Sequence, residues 1–281
     1  MKRQQSFTND KPSLFVIATP IGNLQEISKR CIEVLESVDC VFCEDTRVSS
    51  KIMQHLSIKK SLYSAFENKE LEAAANIISM LKNNKNVALV SDAGYPGISD
   101  PGQKIIKKVI DEDFNVVVIN GPSALIQSVI ASGFSTDHFY FYGFLDAKPT
   151  RRKKELEKLK DFEDTLIFYQ SPHKIKESLQ DFLEVFGNRN ICLCRELTKK
   201  FEEYIRGTVS EVLEICESLK GEMVLVVEGK KTEKRKLDES VIDLIDLKIK
   251  EGKTTNQAIK EVAKELDLSK NEVYDFYHIG G

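Results

Sequence analysis

The stretch from Val87 to Gly102, Val-Ala-Leu-Val-Ser-Asp-Ala-Gly-Tyr-Pro-Gly-Ile-Ser-Asp-Pro-Gly, constrains this chain more than any other. Four consecutive apolar residues, Val87 to Val90, fit a strand buried on both faces of a parallel sheet. The run stops at a turn holding Gly94, Pro96, Gly97 and Gly102. Asp100 stands where it can cap the following helix, with Pro101 at the first helical position, where a missing N–H costs nothing. Strand, glycine turn and capped helix leave backbone amides at the carboxyl edge of a sheet, the edge on which open α/β folds bind ligands. A plain βα turn reads the same way locally. The rest of the chain must decide.

Similar strand ends recur. Leu14 to Ala18 runs into Thr19-Pro-Ile-Gly-Asn23, Cys40 to Cys43 into Glu44-Asp-Thr-Arg47, and Val116 to Ile119 into Asn120-Gly-Pro-Ser-Ala124. Helical spacings such as Cys31, Ile32, Leu35 and Val38 lie between them. This alternation predicts an α/β fold, with a parallel, doubly wound sheet over residues 13–135. The turns after 18, 90 and 119 would open on one edge. A second α/β unit with a more mixed sheet is expected over 136–229. A charged linker at 230–237 and a helical, helix-turn-helix-like tail at 238–281 follow.

Of the 281 residues, 41% are hydrophobic and 30% charged, an ordinary globular balance. The net charge of -3 means that a nucleic-acid partner needs a local basic patch. No apolar run approaches the roughly 20 residues of a membrane span, and the polar start lacks a signal-peptide core, so a cytoplasmic protein without a membrane partner is expected. Cys40 and Cys43 form a C-x-x-C within a strand, where residues three apart face opposite ways. Without a second such pair or paired histidines, buried reduced thiols and no metal site are expected. Gly-x-Gly-x-x-Gly, Gly-x-x-x-x-Gly-Lys-Ser/Thr and Gly-x-Ser-x-Gly are all absent, so the glycine turns serve neither the usual dinucleotides nor triphosphates.

Eight motifs stand in order: Ala18-Thr-Pro-Ile-Gly-Asn-Leu24, Cys43-Glu-Asp-Thr-Arg47, Ser91 to Gly102, Gly121-Pro-Ser-Ala124, Gly143-Phe-Leu145, Ser171-Pro-His173, Arg195-Glu-Leu-Thr-Lys199 and Gly221 to Gly229. Over about residues 13–229 they resemble the small-subunit ribosomal RNA methyltransferases of the tetrapyrrole methylase superfamily. Two departures are visible. Asn120 stands where that family usually has Pro before Gly-Pro-Ser, and Asp146 where Pro usually follows Gly-Phe-Leu.

The resemblance implies two α/β domains with S-adenosylmethionine held in the cleft between them, largely by backbone. It also implies methyl transfer to a cytidine 2′-hydroxyl of 16S rRNA, met as rRNA or as the 30S subunit. Carried over, the cofactor contacts are Pro20, Asp92, Ala93, Gly94, Ile98, Ser123, Ala124, Tyr169, Glu222 and Met223. Asp92 could complement the sulfonium or amino group, or simply end its strand in an Asx turn. For the hydroxyl proton, the expected acceptor is Asp45 or Glu44, with Arg47 on a phosphate; the competing reading is an Asp45 helix cap paired with Arg47. Arg151, Arg152, Lys153 and Lys154 open a helix, where positive charge opposes the macrodipole, so RNA phosphate contacts are the better account of them. A homodimer is the expected assembly. A tetrapyrrole (porphyrinoid) methylase and a non-catalytic RNA-binding module remain alternatives.

Overall fold

The computed structural model describes residues 1–6, 8–9, 11–231, 237–266 and 268–279. They form two compact units, one from Met1 to Lys230 and one from Lys231 onward. The larger unit contains two five-stranded sheets.

In the first sheet, β1 (Ser13–Ile17), β2 (Cys40–Cys43), β3 (Ser61–Ser64), β4 (Val87–Val90) and β5 (Asn115–Ile119) run in the order β3-β2-β4-β1-β5, every neighbouring pair parallel. Ile17 lies opposite Val90 in β4 and Ile119 in β5, so the turns after these strands are neighbours. Alternate side chains feed two cores. Leu14, Val16, Phe42 and Leu89 pack with Ile77 of α3 (Glu70–Lys82) and Ile105 of α4 (Gln103–Asp111). Ile17, Val41 and Val90 pack with Leu35 of α1 (Lys29–Ser37) and Met53 of α2 (Thr46–His55). Period-2 alternation also separates the two thiols of the C-x-x-C: Cys40 joins the first core and Cys43 the second.

The second sheet is mixed, in the order β6-β7-β10-β8-β9. Here β6 (Phe139–Phe144) is parallel to β7 (Thr165–Gln170), while β10 (Met223–Val227) runs antiparallel to β7 and β8 (Asn190–Arg195). The edge strand β9 (Glu203–Thr208) is antiparallel to β8. One face is covered by α6 (Pro149–Glu157), α7 (Ile175–Phe186) and α8 (Val209–Ile215), with Leu156, Phe182 and Val212 in its core. The other face packs against α5 (Ala124–Ser132), a helix that follows β5 in sequence: Val129 lies among Ile167, Cys194 and Val224. This helix ties the two sheets together.

One local expectation is overturned. The helix after β4 starts at Gln103 with Gly102 as its N-cap residue, and Asp100 does not cap it. The buried Glu70 carboxylate of α3 accepts the Gly102 N–H at 2.7 Å instead. A tertiary partner thirty-two residues away in sequence has taken the cap and left the Asp100 side chain available.

The second unit holds α9 (Glu239–Lys250), α10 (Thr255–Glu265) and α11 (Lys270–Ile279) around Val241, Ile245, Ile259, Val262 and Val273. Thr254 and Gln257 close a capping box on α10. The expected linker falls largely on 232–236, outside the described residues. Among the described residues no helix is long and apolar enough to cross a membrane.

Candidate active site

A parallel sheet puts its βα turns on one edge, and here hydrogen bonds fasten four of them together. Thr19 and Gly94 exchange both backbone hydrogen bonds, at 2.9 and 3.0 Å. Gly94 does so at φ +72°, a left-handed conformation that a side chain resists. Tyr95 reaches the third turn, where its phenolic oxygen accepts the Gly121 N–H at 3.0 Å and donates to the Gly121 carbonyl at 3.3 Å. Gly121 lies so near β1 that a β-carbon there would stand 2.9 Å from Ala18. The Asp45 N–H donates to the Asp92 carboxylate at 3.1 Å, which ties in the turn after β2.

A cavity of about 990 Å³ opens above this platform. The first sheet contributes Ala93, Gly94, Tyr95, Ile98 and Asp100, and α5 contributes its first turn with the capping Ser123. The second sheet supplies Tyr169, Gln170, Leu197 and Met223. The loop bearing Leu197 is strained: Glu196 and Thr198 sit at φ +49° and +66°. It is pinned by the Glu196 carboxylate, which accepts the Glu222 N–H at 2.9 Å, and by Lys199, 3.1 Å from Glu196 and 2.8 Å from Glu222.

Eight of the expected cofactor positions line this cavity: Ala93, Gly94, Ile98, Ser123, Ala124, Tyr169, Glu222 and Met223. Two do not. Pro20 lines a separate small pocket with Ile27 and Met53, and the Asp92 carboxylate serves the Asp45 backbone. Gly94 also differs in manner, since Thr19 takes both its backbone groups and leaves only its surface to a ligand.

The Asp45 and Arg47 expectation resolves in favour of its competitor. Asp45 caps α2 by accepting the Arg47 N–H at 2.8 Å, and its carboxylate pairs with the Arg47 guanidinium at 2.6 Å. The Arg47 side chain and backbone amide hold the Asp45 carboxyl down at about 2, a very weak base. Neither Asp45, Arg47 nor Glu44 lines the cavity.

Sequence reasoning missed Asp100 and Gln170. Burial, with the Glu44 and Asp92 charges nearby, pushes the Asp100 carboxyl up to about 6. Gln170 is 6% exposed, and its buried Nε2 has no hydrogen-bond partner among the described residues. Such an atom is costly unless a ligand meets it. The signal for Gln170 was its place at the end of a buried strand beside Tyr169. For Asp100 no local signal existed, because the cap was supplied from α3.

The basic run divides. Arg152 is corrected: it is 2% exposed, with its guanidinium on Asp181 at 2.7 Å and Glu177 at 3.8 Å, so it braces α6 on α7 and meets no phosphate. Lys153 pairs with Glu184 at 2.6 Å and Asp181 at 3.6 Å. Arg151 and Lys154 are exposed, Arg151 in loose contact with Asp146 at 3.5 Å. Asp146, one of the two departures from the family pattern, also accepts the Lys148 N–H at 2.7 Å and so shapes the entry to α6.

Comparison with known proteins agrees with this architecture. Residues 13–213 match the family of tetrapyrrole (corrin/porphyrin) methylases. A Bacillus subtilis protein, ribosomal RNA small subunit methyltransferase I, is 43% identical over 289 residues, covering 99% of each chain. Among solved structures, the methyltransferase CobJ shares the fold with a TM-score of 0.60 at 18% identity, over 81% of this chain and 97% of that one. A uroporphyrin-III C-methyl transferase from Thermus thermophilus, complexed with S-adenosyl homocysteine, gives 0.55 at 15% identity, over 77% and 97%. The chain therefore belongs to the tetrapyrrole methylase family, in its branch of small-subunit ribosomal RNA methyltransferase I proteins.

Proposed function

We propose that this methyltransferase acts on small-subunit ribosomal RNA, transferring a methyl group from S-adenosylmethionine to a cytidine 2′-hydroxyl. The observation that carries the reading is the full-length, 43% identical relative named for small-subunit rRNA methylation. The cavity suits the cofactor. Its volume of about 990 Å³ lies at the upper end of ligand pockets, with room for a nucleoside-sized cofactor and part of an acceptor. Ile98, Leu197, Met223 and Val224 offer apolar surface to a purine, and the orphaned Gln170 amide offers a hydrogen bond.

When bound, S-adenosylmethionine supplies a methyl carbon made electrophilic by its sulfonium. The chain's own work is placement. Displacement at carbon needs the acceptor in line, and fixing that geometry accounts for most of the rate. The Thr19–Gly94 and Tyr95–Gly121 ties hold the platform rigid, and the Lys199 clamp fixes the opposite wall. Arg151 and Lys154 are the exposed cations of α6 that remain for RNA phosphate. The 30S subunit or its rRNA is the expected partner, with a homodimer in the cytoplasm as the working form.

The test incubates the chain with methyl-labelled cofactor and either small subunits, naked small-subunit rRNA or a porphyrinogen. Label on rRNA, mapped as a cytidine 2′-O-methyl, is expected. Label on the porphyrinogen alone would reassign the enzyme to tetrapyrrole chemistry.

A further inference from the structure

Among the described residues, five titratable side chains line the cavity: Glu26, Tyr95, Asp100, Tyr169 and Glu222. Four are unsuited to accept a proton at the reacting centre. Glu26 lies exposed at the rim. The Glu222 carboxylate is 77% exposed and ion-paired with Lys199. The Tyr95 hydroxyl is engaged on both sides by Gly121. The Tyr169 phenol is raised further by burial and by the Asp100 charge itself.

Asp100 differs from all of them. It is half-buried, and among the described residues no donor or cation is paired with its carboxylate. It stands between β4 and α4 of the first sheet and lines the cavity together with Tyr169 of β7, so both walls face the same space. The nearest carboxylate in sequence, Asp92, is occupied by the Asp45 backbone, and Asp45 itself by Arg47. The helix cap that would have held Asp100 has been supplied by Glu70.

We infer that Asp100 is the proton acceptor for the methyl-accepting hydroxyl, an assignment that rests on the rRNA 2′-O-methylation reading. In the step, the Asp100 carboxylate takes the hydroxyl proton and the oxygen lone pair forms the O–CH3 bond. The C–S bonding pair returns to sulfur, leaving a neutral thioether, and Asp100 later releases its proton to water. Its basicity is set first by burial and then by two facing carboxylates, Glu44 after β2 and Asp92 after β4; the Tyr169 phenol across the cavity is uncharged where Asp100 titrates. Burial and the two carboxylates favour its protonated form, which brings its pKa towards the working pH, where a general base is most effective.

The experiment uses the full chain and small subunits that it methylates, with wild type and Asp100→Asn compared from pH 5 to 9. Asp100→Asn is expected to slow single-turnover transfer by about 10²–10⁴-fold and to abolish the acidic limb near pH 6. Calorimetry is expected to find its affinities for S-adenosylmethionine and S-adenosylhomocysteine within about threefold of wild type, well below one tenfold step in binding. Carbon-detected NMR of the ligand-free protein is expected to show the Asp100 carboxyl titrating near 6. Transfer by Asp100→Asn at the wild-type rate with the acidic limb intact overturns the assignment. So does a selective loss of affinity for S-adenosylmethionine over S-adenosylhomocysteine, which makes Asp100 a sulfonium counter-ion. A wild-type chain that leaves rRNA unmethylated overturns the functional reading itself, and is seen before the variant is compared.

Discussion

Asp45 and Asp100 both follow strands of the parallel sheet, and their surroundings push their protonation in opposite directions. Asp45, held at about 2 by Arg47, contributes stability above its unfolded value near 4 that is lost as pH falls through about 2. Its work is structural, so Asp45→Ala lowers the melting temperature by removing the α2 cap while leaving turnover within a few-fold of wild type. Asp100, raised to about 6, behaves conversely: its favourable contribution is complete below about pH 4 and is lost as pH rises through 6. At pH 8 the wild type therefore carries an unfavourable buried charge that Asp100→Asn removes. The variant is expected to be more stable there by about 1–2 kcal/mol, the lower figure allowing for partial exposure, with the gain vanishing towards pH 4. Denaturant melts of both proteins at pH 4 and pH 8 check the sign. A variant that is more stable and much slower is the pattern of a group kept for chemistry. Gln170 offers a parallel case. Gln170→Leu removes an unsatisfied amide at little cost in folding, but is expected to weaken binding of the cavity's ligand about tenfold, as calorimetry with the cofactor would show.

At the scale of elements, what could be read from the sequence was whatever local periodicity and turn chemistry dictate. The buried run Val87–Val90, the alternation that separates Cys40 from Cys43 and the glycines at strand ends lead to a parallel sheet with its turns on one edge. Tertiary partners were not legible. The Glu70 cap on α4, the α5 helix buried against the second sheet and the Arg152–Asp181 pair each join residues far apart in sequence. A basic run at a helix start looks like a phosphate site when the carboxylates beneath it lie in another helix. The pair also sets a prediction. Arg152→Met strands a buried Asp181 with only the more distant Lys153, and is expected to cost about 3 kcal/mol. Adding Asp181→Leu restores most of that loss, since an apolar pair of similar volume is often as stable as a buried ion pair. Urea melts of the single and double variants measure it. Arg151→Ala with Lys154→Ala instead leaves stability nearly unchanged and lowers the salt slope of RNA binding by about one per lost phosphate contact.

For the whole molecule, the question is what the second unit adds to a first unit that holds the described lining of the cavity. The chain leaves the first unit at a fixed point: Gly229 lies against the backbone of Glu163, and Lys230 bonds the Phe162 carbonyl at 2.7 Å and pairs with Asp161 at 2.6 Å. Beyond it, Val241, Ile245, Ile259, Val262 and Val273 close a core of their own. So small a core is marginal by itself. Part of the tail's positive charge is taken up internally, with Lys248 held by Glu265 at 2.6 Å and Lys253 paired with Glu261. Lys260 and Lys264 stay exposed on α10, and an RNA anchor of the helix-turn-helix kind would draw on them. A chain ending at Lys230 is therefore expected to keep its cofactor affinity, because every described residue that lines the cavity lies before that point. It is also expected to methylate small subunits less efficiently, with KM raised more than kcat is lowered, since an anchor contributes binding rather than chemistry. Calorimetry with the cofactor and a methylation assay on small subunits, run on the full and shortened chains, separate the possibilities. Undiminished methylation by the shortened chain would refute an RNA anchor, and a loss of cofactor affinity would make the tail a packing element instead.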